Sequence, residues 1–410
     1  MKGFNSHILP RGFIGFTLLG FLLLISCKSE NAIEGAPEVI DINDYTKTDS
    51  LLSIRSLLED VSYIQLKGAD TFFLSNTKKI LEIDNKLIIH DKNKEVLVAY
   101  DLEGNFLGQV GAKGEGPEEY KQVTDFDIHP QRNSIIIYSR GDQSFLEYDH
   151  SLKFIQKVRV GFWGMHMSVL ESGNLAFFKD PESGSNNIAI YDIEATKIEE
   201  TMPFPVGENN EYILSDFSGF LKGGFYNYPF SSEILKLQEG EGLDQVYFQI
   251  NFPNMRSEEK KFAHMEYFNQ DLQLENNGIL WHYTVGENKK ELIFYYSYKI
   301  GNGYGNTIGI KNESGQIFGH FNLKHGGPDK ADEFLKLFFW NSYNIPNYSS
   351  STNYYYSAST QEGLDYLHRI EKDTFLEGLK SIDMNLYNTL KDAKDVDNPI
   401  VMKFRFKSKI

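Results

Sequence analysis

The chain repeats itself. Residues 86–111, KLIIHDKNKEVLVAYDLEGNFLGQVG, read as three short strands, Leu87–His90, Val96–Tyr100 and Phe106–Val110. Turns at Asp91–Glu95 and Glu103-Gly104-Asn105 separate them, and glycine beside Asn or Asp supplies the positive-φ positions that tight hairpins need. The unit returns as VLVAYD (96–101), SFLEYD (144–149) and IAIYD (188–192), each ending in Tyr-Asp. Tyr100, Tyr148 and Tyr191 lie 48 and 43 residues apart. In SEILKLQEGEGLDQVYF (232–248), Leu237 takes the tyrosine place 46 residues later; in TIGIKNESGQIFGHF (307–321), Lys311 takes it after a further 74. NPIVMKFRFK (398–407) closes the series.

A period in the forties with four short strands per unit specifies an all-β chain, a six-bladed β-propeller over residues 38–410. Each blade is a small twisted sheet that cannot bury both faces alone, so blades must pack on one another around an axis. The alternative, a pair of β-sandwiches, fits the regular spacing less well. The last unit has no strand after Phe406, so its outermost strand must come from elsewhere. EVIDI (38–42) is the expected donor, joining N- and C-terminal strands in one blade and protecting an edge. A few helical inserts are expected. They are Leu51–Leu58 capped by Asp49 or Ser50, the polar stretch Ser257–Asn276, Asp329–Trp340, and Thr374–Lys391 interrupted at Gly378. The stretch 341–360 is polar and tyrosine-rich, read either as a stacking surface or as an insert of a large final blade.

The first 26 residues stand apart. Lys2 and Arg11 precede an apolar run, Phe13–Ile25, that is shorter than the about 20 residues of a spanning helix. This is the pattern of a signal peptide. Its ending, Leu24-Ile25-Ser26-Cys27, resembles a bacterial lipobox, which makes Cys27 the expected site of lipid attachment and 27–37 a lipid-anchored linker. Cys27 is the only cysteine, so disulfides, thiolate metal sites and cysteine nucleophiles are excluded from the mature chain. The expected location is the cell envelope, at the periplasmic or surface face of an outer membrane. The net charge of −16 repels phosphate backbones and argues against nucleic acid as a partner.

One segment imitates a phosphate loop. VGAKGEGPEEY (110–120) places three glycines around a lysine, but Pro117, Glu118 and Glu119 follow where an anion-binding helix should begin. The alternating Asp or Asn ligands of a calcium loop are absent as well. A partial echo, KHGGPDKADEF (324–334), occurs at another junction. Both read as crossing turns between blades, anchored by Tyr120 and Phe334. With its preceding strands the segment resembles an NHL-type repeat. More closely, it resembles the six-bladed β-propeller lipoproteins of Gram-negative bacteria, in which a Gly-x-Gly-Pro-x-Glu-Tyr turn follows the first blade, here Gly114, Gly116, Pro117, Glu119 and Tyr120. SSEILKLQ (231–238) and DNPIVMKFRF (397–406) share the likeness, so it spans roughly 38–407. The resemblance implies the fold but carries over no catalytic residue, since that family is mostly of unknown function.

Catalytic motifs do not surface. There is no Gly-x-Ser-x-Gly elbow and no His-Glu-x-x-His. No cofactor or metal is expected, and Asp392, Asp395 and Asp397 read as a solvated turn. The loop GFWGMHM (161–167) is the exception, because crossings of this kind converge on one mouth of a propeller's channel. The candidate ligand surface is Lys113, Glu115, Phe162, Trp163 and His166; the competing reading buries Trp163 between blades. The function expected is a binding or scaffold module for a glycan, peptide or protein partner. The alternative is an enzyme acting on a glycan or peptide with residues dispersed over several blades. Changing Cys27 to Ser should move the protein from the membrane fraction to the soluble fraction. An absence of fatty-acid label on the wild-type chain would sink the lipid assignment.

Overall fold

In the computed structural model, the described residues are 36–42, 53–179, 186–203, 223–227, 232–240, 245–252, 278–286, 289–300, 303–312, 317–322, 347–348, 354–358, 372–394 and 397–407, with 331, 332, 334, 335 and 338. Those from Pro37 onward belong to one compact unit ending at Ile410. They form six four-stranded sheets and one two-stranded turn, the six-bladed ring that the repeat demands.

The first blade runs in simple up-and-down order, Thr77–Ile83, Lys86–Asp91, Val96–Asp101 and Phe106–Gln109. The second does the same with Asp125–His129, Ser134–Ser139, Ser144–Asp149 and Phe154–Arg159. The third uses Gly164–Val169, Leu175–Lys179, Asn186–Asp192 and Lys197–Pro203. Each begins with its innermost strand. The fifth blade holds Gly278–Val285, Leu292–Ile300, Gly303–Lys311 and Ile317–Asn322 in the same order.

The Tyr-Asp repeat has a physical meaning in these blades. Tyr100, Tyr148 and Tyr191 are buried, and each faces the blade before its own. Tyr148 donates to the Glu118 carbonyl at 2.7 Å, beneath the crossing turn that leaves blade one. Tyr191 packs edge-on against Phe145 of blade two, with ring centres 5.2 Å apart. The aspartate that follows folds the next turn. Asp101 accepts the Asn105 N–H at 2.7 Å, Asp149 the Lys153 N–H at 2.9 Å, and Asp192 the Ala195 N–H at 2.8 Å. One residue joins neighbouring blades and the next ends the strand.

Ring closure differs from the expected arrangement in its donor. The shared blade exists: Ile400–Phe406 is flanked by Tyr354–Ala358 on one side and by an N-terminal strand on the other. That strand is Leu58–Gln65, antiparallel, with Gln65 opposite Ile400 and Leu58 opposite Phe406. EVIDI lies elsewhere. Glu38–Asp41 pairs in parallel with Gln245–Asn251, at the edge of the fourth blade beside Glu233–Lys236 and Phe225–Tyr226. Strand 58–65 escaped detection because a bulge breaks its alternation. Asp60 takes φ of 51° and the register shifts between Glu59 and Ser62.

The helical inserts are shorter than expected or displaced. The first is Ile54–Leu57 with Ser53 as its cap, and Leu58 already belongs to the strand. The C-terminal pair is Lys372–Ile382 and Met384–Leu390. Its break falls at Asp383, whose carboxylate accepts the Leu386 N–H at 3.0 Å, while Gly378 sits inside the first helix. The five described positions between 331 and 338 are helical. Ser257–Asn276 lies outside the described residues. Within 341–360, Asn347–Tyr348 and Tyr354–Ala358 are blade strands, with Tyr354 and Tyr355 wholly buried. Those two tyrosines are core, not a stacking surface.

The closure is locked by Asn398, which is fully buried. Its Oδ1 accepts the Leu74 N–H at 2.7 Å, and its Nδ2 donates to the Phe72 carbonyl at 2.9 Å and to the Tyr100 hydroxyl at 3.2 Å. Its own carbonyl accepts from Gln65 Nε2 at 2.5 Å. Removing this amide leaves several buried groups unsatisfied at about 1–3 kcal/mol each. Asn398→Ala should therefore destabilise the ring by about 3 kcal/mol or more, read as a lower urea midpoint at unchanged slope. An unchanged midpoint would show that closure does not depend on it.

Candidate functional site

Two ends of the ring can be told apart by their loops. One gathers the crossings from outermost to innermost strand, 110–124 and 160–163, with the turns at 92–95 and 140–143. The Val123 N–H donates to the Glu95 carbonyl at 3.0 Å and the Lys121 N–H to Asp142 at 2.8 Å, so these loops interlock. The opposite end gathers the hairpin turns that follow the innermost strands.

The Gly-rich crossing is a turn, as read, and its side chains show why. Ala112–Lys113 pairs in parallel with Glu119–Tyr120. Glu119 folds back so that its carboxylate accepts the Gly116 N–H at 2.8 Å, and a Cβ on Gly114 would collide with that carboxylate. Tyr120 is wholly buried in the groove between blades one and two, donating to the Val110 carbonyl at 3.1 Å. Phe334 is buried too, as expected, although most of the 324–334 echo lies outside the described residues. Of the three aspartates before Pro399, Asp397 accepts the Lys394 N–H at 2.8 Å and Asp395 lies outside the described residues.

The second crossing is clamped from below. The Val160 and Gly161 N–H groups both donate to the Gln143 carbonyl, and Gly161 takes φ of 80°. The Tyr138 hydroxyl donates to the Phe162 carbonyl at 3.0 Å and accepts the Gly164 N–H at 2.8 Å. Phe162 lies half-buried on Phe177, centroids 5.3 Å apart, with the Lys179 ammonium 5.7 Å from its ring. Trp163 is left 54 % exposed at the tip, so it does not pack between blades.

The other candidates divide. Lys113 pairs with Glu95 at 2.6 Å on the surface, and the exposed Glu115 reaches Lys121 at 3.9 Å. His166 is different, since it is buried on the innermost strand of blade three with Nδ1 3.6 Å from Asp125 Oδ2. Sequence reasoning missed its surroundings. Lys79 Nζ lies 3.0 Å from Asp125 Oδ1 and donates to the Phe126 carbonyl at 2.5 Å. Asp125 also accepts the Met167 N–H at 3.0 Å, so one carboxylate joins three blades. The available signal was the charge that opens each apolar strand, TKKIL and DFDIH, directly after a crossing.

Electrostatics follow from this burial. Burial alone would raise the Asp125 pKa, but the Lys79 ammonium and His166 outweigh it and hold the carboxyl well below the usual range. For Lys79, burial lowers the pKa while Asp125 and Asp127 more than restore it. For His166, burial wins and keeps the imidazole neutral. His90 stands opposite Lys79 in the ladder, edge-on to Phe126, and burial with the neighbouring lysines pushes it down to about 3.

These blades, their shared closing strand and their interlocked crossings define a six-bladed β-propeller. The chain belongs to the family described as Domain of unknown function (DUF4934), which matches over residues 37–405. None of the curated proteins matches it. Among solved structures it is similar to a Bacteroides fragilis protein described as exported, with 19 % identity, TM-score 0.64, and coverage of 90 % of this chain and 99 % of that one. It is also similar to a Bacteroides vulgatus member of the duf4221 family, with 12 % identity, TM-score 0.50, and coverage of 86 % and 98 %. At such identities the likeness shows the fold alone. Among the described residues no helix is long and apolar enough to cross a membrane, and no three His, Cys, Asp or Glu side chains are placed to hold a metal ion.

His90 supplies a pH prediction. Its folded pKa lies below the unfolded value of about 6.5, so the unfolded chain binds its proton first. Its neutral burial therefore costs nothing above about pH 6.5, and stability is lost as pH falls toward 3, by about 1.4 kcal/mol per unit. Urea melts between pH 7 and 4.5 should slope less steeply for His90→Gln than for wild type. Parallel slopes would remove His90 from the acid response.

Proposed function

We propose that this chain is a lipid-anchored, extracytoplasmic propeller that presents its crossing end to a glycan, peptide or protein partner. The observation that carries the reading is Trp163, a half-exposed indole on a backbone held by Gln143 and Tyr138. A rigid aromatic at a fixed position loses little conformational freedom on binding, which is why such residues dominate interface energetics. Phe162 precedes it in the same crossing, and Lys113 and Glu115 on the crossing between blades one and two complete the surface read from the sequence. Anchoring at Cys27 on an outer membrane, periplasmic or surface-facing, is part of the proposal and rests on the sequence of the leader. The likeness to a protein described as exported agrees with it.

The alternative, a dispersed-site enzyme, would draw on Lys79, Asp125 and His166. Those groups are committed to structure: the ammonium to a carboxylate and a carbonyl, the carboxylate to the Met167 N–H of the next blade. The binding reading is therefore preferred.

A soluble chain of residues 28–410 should be screened on a glycan array and by pull-down from envelope extract. Trp163→Ala should weaken capture by about 30-fold or more while leaving the melting temperature nearly unchanged, since an exposed tip leaves no core cavity. Full binding by the variant, or no ligand in either screen, would overturn the assignment of this surface.

A further inference from the structure

Blade four takes its outer strand from a distant part of the chain, and holds it as a sheet edge holds a peptide. In blades one, two, three and five the outer strand follows the third in sequence and pairs antiparallel with it. In blade four it is Glu38–Asp41, laid in parallel on Gln245–Asn251, with Glu38 opposite Phe248 and Ile40 opposite Ile250. The ring does not close through this strand, because Leu58–Gln65 does that. It has four residues against eight in the closing strand, and parallel pairing is slightly less stable per residue. Its departure would break one short ladder and no other. The side chains alternate between two faces. Ile40 and Ile42, each 1 % exposed, enter the apolar cluster that includes Leu280 and Phe294 of blade five. Val39 and Asp41 lie on the other face, exposed, where Asn251 Nδ2 donates to Asp41 Oδ1 at 2.9 Å. The Ile42 N–H donates to the Asn251 carbonyl at 2.9 Å.

Glu38 shares the face of the two isoleucines and meets a charge there. Lys311 of blade five, 3 % exposed, places its Nζ 3.0 Å from Glu38 Oε1 and 5.6 Å from the Phe248 ring centre, and donates to the Lys290 carbonyl at 2.5 Å. This lysine stands in the repeat where Tyr100, Tyr148 and Tyr191 stand in their blades. Where those tyrosines meet the preceding blade with an aromatic ring, Lys311 meets it with an ammonium. A buried ammonium stripped of its carboxylate is costly, so the edge selects a segment that brings one. We infer that the outer edge of blade four is a peptide-binding groove, filled in cis by residues 38–42, which it exchanges for an extended acidic segment of a partner protein. The segment it takes carries a carboxylate, then β-branched side chains two and four positions later, with an acid between them for Asn251. Main-chain pairing supplies affinity and the side-chain slots supply specificity, as in other sheet-edge recognition. Lys311 is the specificity-determining residue. None of these residues belongs to the crossings that carry Trp163 and Glu115.

The test uses the full chain. In amide hydrogen exchange, residues 38–42 should exchange about 10-fold faster than 58–65 or more, because the strand leaves while the ring stays closed. Joint exchange of the two segments would show the strand to be integral to the ring and overturn the inference. A full-length Ile40→Asp/Ile42→Asp variant empties the groove, and the probe is a fluorescent synthetic peptide of residues 36–43. The variant should bind this peptide, and the wild type should bind it more weakly because it holds its own strand. A peptide with Glu38→Gln should bind about 10-fold less tightly. Adding Lys311→Met to the variant should abolish the preference for Glu over Gln, a coupling that lost stability alone does not produce. Equal capture of a scrambled peptide, or no capture by the folded variant, would overturn the groove. A stable wild-type dimer with exchanged strands would assign the edge to a second copy and overturn the partner reading. If the variant does not fold, hydrogen exchange on the wild-type chain decides alone.

Discussion

The innermost strands of a propeller face a problem that the other strands do not. They splay apart around the axis, so their exposed edges cannot pair by a backbone ladder with the next blade, yet they lie buried. Buried N–H and C=O groups without partners are costly. Here side chains of the neighbouring blade supply the partners. Asp125 accepts the Met167 N–H at 3.0 Å and Asp127 the Val169 N–H at 2.8 Å, two residues apart on both strands. Lys78 donates to the Thr124 carbonyl at 3.1 Å and Lys79 to that of Phe126 at 2.5 Å. Carboxylates serve amides and ammonium groups serve carbonyls. The charges then neutralise one another, as Lys79 and Asp125 do. A buried ion pair is weak evidence for stability by itself, but removing one partner strands the other, which makes the arrangement specific.

Closure of the ring obeys the same logic at the seam. Blade one and the C-terminal strands of blade six come from opposite ends of the chain, and what joins them is again a side chain that satisfies backbone groups. Asn398 serves Leu74, Phe72 and Tyr100 at once, and Tyr355 and Lys403 both reach Glu82 across the same boundary. Borrowing Leu58–Gln65 for the last sheet adds a ladder that no rotation of rigid blades can break without breaking strands.

Much of this architecture was legible because its repeating parts are local. The tyrosine and aspartate that end the third strand each do one job, packing backward and capping forward, and their spacing reports the blade. The crossing at 110–120 was readable as a turn because Pro117 and two carboxylates exclude an anion site. What stayed hidden depends on pairing across long separations. The bulge at Asp60 erased the alternation that would have marked 58–65 as a strand, while 38–42 looked like a better edge strand and is one, in another blade. The cap at Asp383 outweighed the glycine at 378, since a helix interior tolerates one glycine at about 1 kcal/mol when Phe375 and Leu379 hold it to the core. Of the candidate surface, the exposure of Trp163 agreed with its loop position. His166, placed on the same candidate ligand surface, instead lies on an innermost strand and is buried with Lys79 and Asp125.

The two kinds of position respond to different demands. Tyr120, Gly114 and Glu119 shape the crossing by filling a groove, avoiding a clash and folding back on the backbone; none has freedom to change without moving the turn. The tips, Glu115 and Trp163, are exposed and carry no such packing demand. A fold shared at 19 % or 12 % identity is thus compatible with entirely different surfaces at the same end. The clamped backbone of residues 160–164 fixes where a tip residue stands without dictating which residue that is. Packing thus constrains the backbone of a crossing far more tightly than the side chains at its tip.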